Sequence, residues 1–442
     1  SAYTISGDFD AADLESLGYT IAQYAHGRVG VTVSGQGRGF DVDQANLNLD
    51  LSRASVTTPW NYWTKPAGQS ATARLTVARQ TDGTLAFNNI DGRGAGFGLQ
   101  QGMVRIDHAG QIVELNLPRL TIDGSTNARI TAARGNDGGL DVAVRGALFD
   151  GAPFMSTSNA PAAQAAAGGP AAPSPPLRAT VLVDNLKLRG GATLSNANVS
   201  VSLVRDALTT LIATGQSPTG KNFSLALGPR PADPAGHIAF QSDDAGFAVA
   251  ALTGTPNLVG GTATADGDWR PGPPSTARFN VRLRDFEVVK LGVMASLLSS
   301  VGSLTGLAEM LNGDGIGFTH LEAQLVYAND RVSFTHGQMG GPSLGLTGTG
   351  AYDIRADNLD VDGVVAPSPG LNSMLGNLPI VGNLFVSRHG EGVFGMTYSI
   401  DGHAAQPHVM VNPVSALTPG ILMRIFEPVD LPGTSDASSG SA

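Results

Sequence analysis

From residue 27 onward the chain alternates between apolar and polar positions. Val29, Val31 and Val33 are separated by Gly30 and Thr32, and Leu47, Leu49 and Leu51 by Asn48 and Asp50. A period of two puts the apolar side chains on one face of a β-strand and the polar ones on the other. The pattern continues at Leu75 and Val77, at Val113, Leu115 and Leu117, and at Val142 and Val144. It resumes at Val181 and Val183, at Val199, Val201 and Leu203, at Phe223, Leu225 and Leu227, and at Phe279, Val281 and Leu283. Further strands are predicted over 321–326, 332–334, 358–362 and 409–413. Asn48, Asn198, Asn222 and Asn280 take polar positions in such runs, as a face that meets water requires. Asp82-Gly83 and Asp137-Gly138 supply the positive φ angles of tight hairpin turns. Parallel neighbours need crossovers of a dozen or more residues, usually helical, and none is visible, so the pattern predicts an antiparallel meander.

Helical spacing is confined to a few windows. Residues 9–24 carry Leu14, Leu17, Ile21 and Tyr24 behind Asp10 or Asp13 as N-cap. Residues 289–311 carry a stripe of Met294, Leu297, Leu298, Val301, Leu304, Leu307 and Leu311, weakened by Gly302 and Gly306, so one helix and two short ones fit equally. The same window is interrupted by Lys290, Gly292 and Glu309, which excludes a membrane span of ~20 mostly apolar residues. Short apolar helices or loops are predicted at 371–385, through Leu371, Leu375, Leu378 and Ile380, and at 417–426, through Leu422 and Phe426. Residues 155–177 are Ala, Pro, Ser and Gly with almost no large apolar side chain, a composition too poor in burial to offset ordering entropy. The expected organisation is a β segment over 1–154, a flexible linker over 155–177, a second β segment with capping helices over 178–428, and a disordered tail over 429–442.

Composition supports sheet over helix bundles: 58 glycines accompany only 14% charged residues, and 42% hydrophobic content is that of a folded chain. A net charge of −10 without a basic stripe speaks against nucleic acid as a partner. No cysteine is present to form a disulfide or a thiolate metal site. The first residues show no charged and apolar leader pattern, so the chain is expected to be cytosolic or to have lost its targeting segment.

An apolar sheet face must be covered by a second sheet, by helices or by a ligand. Helices are too few. A closed sandwich or barrel and an open curved sheet holding something greasy both satisfy the alternation; aromatics at 6% leave a small-aliphatic lining, which favours a channel. The lining positions are Leu47, Leu49, Leu75, Val77, Leu115, Leu117, Val142, Val144, Val181, Val183, Val199, Val201, Phe223, Leu225, Phe279, Val281 and Leu283. Catalytic and metal signatures are lacking. His320, His336, His389, His403 and His408 form no H-E-x-x-H or H-x-H pair and read as surface or turn residues. Asp357, Asp360 and Asp362 lack the Gly and bidentate Glu of a calcium loop and read as a solvated strand face. Gly92-Arg93-Gly94-Ala95-Gly96 lacks the Lys-Ser/Thr of a phosphate loop, and no G-x-S-x-G elbow occurs. No cofactor is expected.

One stretch nevertheless carries ordered motifs. Leu371-Asn372-Ser373, Leu378-Pro379-Ile380-Val381-Gly382, Gly390-Glu391-Gly392-Val393-Phe394, Val411-Asn412-Pro413 and Pro419-Gly420 resemble the C-terminal region of AsmA-like proteins of the YhdP and TamB type. Gly313-Asp314-Gly315, Gly341-Pro342-Ser343, Gly260-Gly261-Thr262 and Trp63-Thr64-Lys65-Pro66-Ala67-Gly68 extend the likeness upstream. The resemblance implies a long curved antiparallel sheet forming an open apolar groove, of the repeating β-groove type, with a few short helices near the C-terminal end. It implies a periplasmic protein held at the inner membrane by an anchor outside this sequence, and a non-enzymatic bridge-like conduit for phospholipid between inner and outer membranes. Leu297, Leu298, Val301, Leu371, Leu375, Leu378, Ile380, Leu422 and Phe426 would then close the groove's end or meet a membrane. The rival expectation is a periplasmic scaffold or biogenesis factor for outer-membrane proteins, which would bring an envelope protein as partner. An extracellular β-helix enzyme acting on polysaccharide fits less well, because the turns read as hairpins.

Overall fold

The computed structural model describes residues 2–10, 24–38, 41–58, 62–155, 175–205, 207–230, 233–272, 275–289, 315–342, 344–367, 396–403 and 407–412. Among the described residues the chain is mainly β, with 24 strands assigned to one sheet by backbone pairing. Its contacts divide it into two compact units, an N-terminal one through Leu208 with Ile212–Pro218, and a C-terminal one from Thr219 with Thr209–Leu211.

The N-terminal unit is built from β1 (Ala2–Asp10), β2 (Ala25–Arg38), β3 (Asp41–Asp50), β4 (Ala54–Thr57), β5 (Thr64–Lys65), β6 (Ala71–Arg79), β7 (Leu85–Gly94), β8 (Phe97–Ile106), β9 (Ile112–Ile122), β10 (Thr126–Arg134), β11 (Leu140–Asp150), β12 (Leu177–Lys187), β13 (Thr193–Val204) and most of β14 (Ala207–Gln216). From β1 through β3, then β6 through β11, each strand pairs antiparallel with the next, while β4 and β5 form a side hairpin against the start of β2. The hairpin turns expected at Asp82-Gly83 and Asp137-Gly138 are present, with φ of 84° and 76° at the two glycines.

Two expectations are corrected here. Phe9 and Asp10 do not open a helix but end β1, opposite Val29 and Arg28; residues 11–23 lie outside the described ones. The meander is interrupted once, because β11 and β12 are parallel neighbours, with Val144 beside Val181. The chain between β11 and β12 thus joins two adjacent strands of one unit. The contacts divide the chain near 208–219. Poor burial capacity marks where a chain need not pack, yet both ends of such a stretch can return to the same sheet.

The C-terminal unit contains β15 (Asn222–Arg230), β16 (Asp233–Ser242), α1 (Ala245–Thr253), β17 (Leu258–Arg270), β18 (Thr276–Val288), β19 (Ile316–Ala328), β20 (Arg331–Gly340), β21 (Leu344–Asp353), β22 (Asn358–Pro367), β23 (Met396–His403) and β24 (His408–Asn412), paired antiparallel in chain order. Helix α1 was not expected from the pattern. Asp244 caps it by accepting the Phe247 N–H at 3.0 Å, and Gly254 ends it in the left-handed region, its N–H bonded to the Ala250 carbonyl. Ala245, Ala248 and Ala251 are fully buried, which lets the helix lie close against β17. The helices expected at 289–311, 371–385 and 417–426, including Leu297, Leu298, Val301, Leu371, Leu375, Leu378, Ile380, Leu422 and Phe426, and the tail at 429–442, lie outside the described residues.

A band of irregular positions crosses each unit. In the N-terminal one, positive φ at Asn89, Gln101 and Asn196 accompanies register shifts in β7 and β8, at Pro118-Arg119 on β9 and at Ala147 on β11. In the C-terminal one it is Gly260 and Gly261, Asp285 and His336. Bulges bend strands and sharpen their twist. They also reset which parity faces inward, so Leu283 and Phe286 sit on the same face across Asp285.

Candidate ligand-binding face

Register assembles the apolar side chains into rows running across the strands. In the N-terminal unit one row runs Val77, Phe87, Val104, Leu115, Ala132, Val142, Ala179, Val201 over eight strands. Beside it lie Leu117, Ile130, Val144, Val181 and Val199, then Ala128, Gly146, Val183 and Ala197. Toward β1 the rows are Ile5, Val33, Leu47, Leu75 and Val31, Leu49, Ala73. The C-terminal unit repeats the plan. Phe223, Ser242, Ala263, Leu283, Leu321 and Met339 form one row; Leu225, Phe240, Ala265, Val281 and Ala323 a second; Leu227, Ile238, Gly267, Phe279, Leu325 and Phe334 a third.

All seventeen lining positions named from the sequence fall within these rows, on the apolar face of their own unit. Val144, Val183, Phe223 and Leu283 are buried, whereas Leu47, Leu49, Leu75, Val77, Leu115, Leu117, Val142, Val181, Val199, Val201, Leu225, Phe279 and Val281 keep part of their surface accessible. The interior of a sandwich would bury such positions throughout.

Each apolar face is closed at one end by elements that strand periodicity does not reveal. In the N-terminal unit, Tyr62, Phe149 and Phe154 form a triangle of rings with centres 5.7–5.9 Å apart, and Trp63 lies 4.8 Å from Phe97. Tyr62, Trp63 and Phe97 pack against Leu99, Leu120 and Ile122. The turn carrying them is fastened by Lys65, only 1% exposed, whose ammonium donates to the carbonyls of Ala54, Pro66 and Gln69 at 2.7, 2.9 and 3.0 Å. Burial lowers its pKa, with Asp50 opposing the shift. Three acceptors match the three donors of the ammonium, so the buried charge is fully satisfied. In the C-terminal unit, α1 and the stacked pair Phe286 and Phe318, 5.7 Å apart, do the closing, with Phe247 edge-on to Phe223.

The opposite face carries Asp8, Thr32, Asn48, Arg74, Glu114, Thr131, Asp141 and Thr180, and ion pairs cross it: Arg105 to Glu114 at 3.0 Å, Arg178 to Asp137 at 2.8 Å and to Asp141 at 2.5 Å. Arg178 and the Gly139 amide hold Asp137 down at about 2. Asp360 and Asp362 are exposed on β22, and Asp357 accepts the Tyr352 hydroxyl at 2.9 Å. His320 departs from the surface reading: it is 8% exposed, lies over Gly340, and burial depresses its pKa despite the nearby Glu322. The bulged ladder of β18 to β20 brings it there, a non-local arrangement that spacing does not encode. His336 and His403 are exposed, as is His408, which lies 3.8 Å from Asp401; His389 is outside the described residues.

Among the described residues no three His, Asp or Glu side chains gather to hold a metal ion, and no helix is long and apolar enough to cross a membrane. Comparison of the chain with family models, curated proteins and solved structures finds no match.

Proposed function

We propose that the apolar face of the sheet is a lipid-carrying surface and that the protein is a non-enzymatic conduit for phospholipid in a bacterial envelope, working in the periplasm as the AsmA-like resemblance implies. The observation that carries this reading is the register itself: rows of Leu, Val and Ala cross up to eight strands without a polar interruption while most of their members stay partly accessible. An acyl chain laid along such rows leaves water at roughly 0.8 kcal/mol per buried methylene. The rows present no fixed polar partner that would hold a lipid at one point, so a chain slides from strand to strand at nearly constant energy. Headgroups stay in water at the margin.

The test exploits strand parity. A photo-crosslinking side chain at Leu117 faces the rows, and one at Asn116 faces the polar side. Phospholipid should be captured at 117 and not at 116, and Leu117→Asp with Val199→Asp should abolish co-purifying phospholipid, read by mass spectrometry, with the far-ultraviolet circular dichroism unchanged. Equal capture at both positions, or unfolding of both Asp variants as in a closed core, overturns the reading.

A further inference from the structure

The polar face of the N-terminal unit holds a group of arginines whose charge nothing in the described structure neutralises. Arg129 and Arg145 are direct cross-strand partners on β10 and β11. Arg129 also faces the Pro118-Arg119 bulge of β9, and Arg119 in turn pairs with Gln100 of β8, its guanidinium donating to the Gln100 Oε1 at 3.2 Å. The three arginines are exposed and line one depression of about 390 Å³, together with Gln100, Thr121 and Asn127.

Two other arginines of this face are answered by acids, Arg105 by Glu114 and Arg178 by Asp137 and Asp141. Among the described residues no carboxylate lies within 4.0 Å of Arg119, Arg129 or Arg145. Like charges directly opposite on a ladder destabilise it, and this chain, at −10, has acids to spare. An uncompensated row of planar, forked donors is the arrangement that recognises a phosphate group by paired hydrogen bonds. The side-chain amides of Gln100 and Asn127 add neutral donors at its margin.

We propose that Arg119, Arg129 and Arg145 form an anion site for a phosphate group, either a free phosphate or phosphoester in solution or the headgroup of an anionic lipid. The site lies on the face opposite the apolar rows and does not rest on their reading as a lipid path.

Two arms on the full chain separate the sources. Calorimetric titration with inorganic phosphate reads the soluble ligand; flotation with vesicles of phosphatidylglycerol in phosphatidylcholine, against phosphatidylcholine alone, reads the headgroup. Arg129→Gln with Arg145→Gln should weaken whichever binding occurs by at least about tenfold, since charge-assisted bonds dominate such sites. Arg129→Gln alone, a single exposed change that leaves the fold untouched, should move it in the same direction. Phosphate binding lost in the variants assigns a soluble phosphate, and flotation lost without phosphate binding assigns a headgroup. Absence of both, or binding that the variants leave unchanged, overturns the site.

Discussion

The two units solve one problem by different means. Both present rows of aliphatic side chains and both close one end of the face. The N-terminal unit closes it with a turn, Tyr62 and Trp63 held over three buried residues by a single ammonium. The C-terminal unit closes it with α1 and a contiguous core in which Phe286, Phe318, Leu344, Val365 and Tyr398 are buried. Stability in the first therefore rests on a few directed hydrogen bonds, and in the second on packed volume. Where lining residues remain partly accessible, as at Leu117, little stability depends on them, which leaves those positions free to serve a ligand.

That contrast is broken most severely at Phe286, 2% exposed and stacked on Phe318. Phe286→Ala should cost about 3–5 kcal/mol in urea unfolding of the C-terminal unit. Leu117→Ala, on the partly accessible rows, should cost less than Phe286→Ala, because part of that side chain stays in water in the folded state. Equal losses would show the rows to be ordinary core. Next in size is Lys65→Met, which keeps the stem and leaves the buried Ala54 carbonyl and the part-buried Pro66 and Gln69 carbonyls without their donor. At about 1–3 kcal/mol for a buried unsatisfied group, a loss of about 2–3 kcal/mol is expected. Hydrogen exchange should quicken in the β4–β6 region and stay unchanged in the C-terminal unit; slow exchange in both would mean the turn is held by its rings alone.

The alternating strands were legible because a period of two is a local signal: it puts Leu115 and Leu117 on one face of β9, and Val281 and Leu283 on one face of β18. It fails at each bulge. Beyond Pro118-Arg119 the inward parity flips to Leu120 and Ile122, and beyond Asp285 to Phe286 and Val288, so these buried residues escape it. Helix α1 offers its caps, Asp244 and Gly254, in plain sequence, but it is apolar all round and shows no stripe. Lys65 reads as a surface charge until residues 54, 66 and 69 bring their carbonyls around it. Arg119, Arg129 and Arg145 look scattered because only strand pairing makes them neighbours.

The gentlest probe of the packed unit is titration of Tyr398. Its ring crosses Gly363, where a Cβ would come within 2.6 Å of Cζ, and its hydroxyl donates to the Thr347 carbonyl at 3.2 Å. Burial, aided by Asp362, pushes its pKa from 10.0 up to about 12. The folded state thus holds the phenolic proton more tightly than the unfolded chain does. The resulting stability is complete below the unfolded value and is lost as pH rises through about 12. At about 1.4 kcal/mol for each pKa unit, the loss across that window approaches about 2 kcal/mol. Tyr398→Phe removes the hydroxyl while keeping the ring over Gly363, so its urea midpoint should start slightly lower at neutral pH and then fall less steeply than the wild type between pH 10 and 12. Tyr62, raised in the same direction by burial in the N-terminal unit, contributes equally to both proteins and cancels in the difference. Parallel curves would mean that Tyr398 ionises without leaving its site, and that the C-terminal core is looser than its packed aromatics imply.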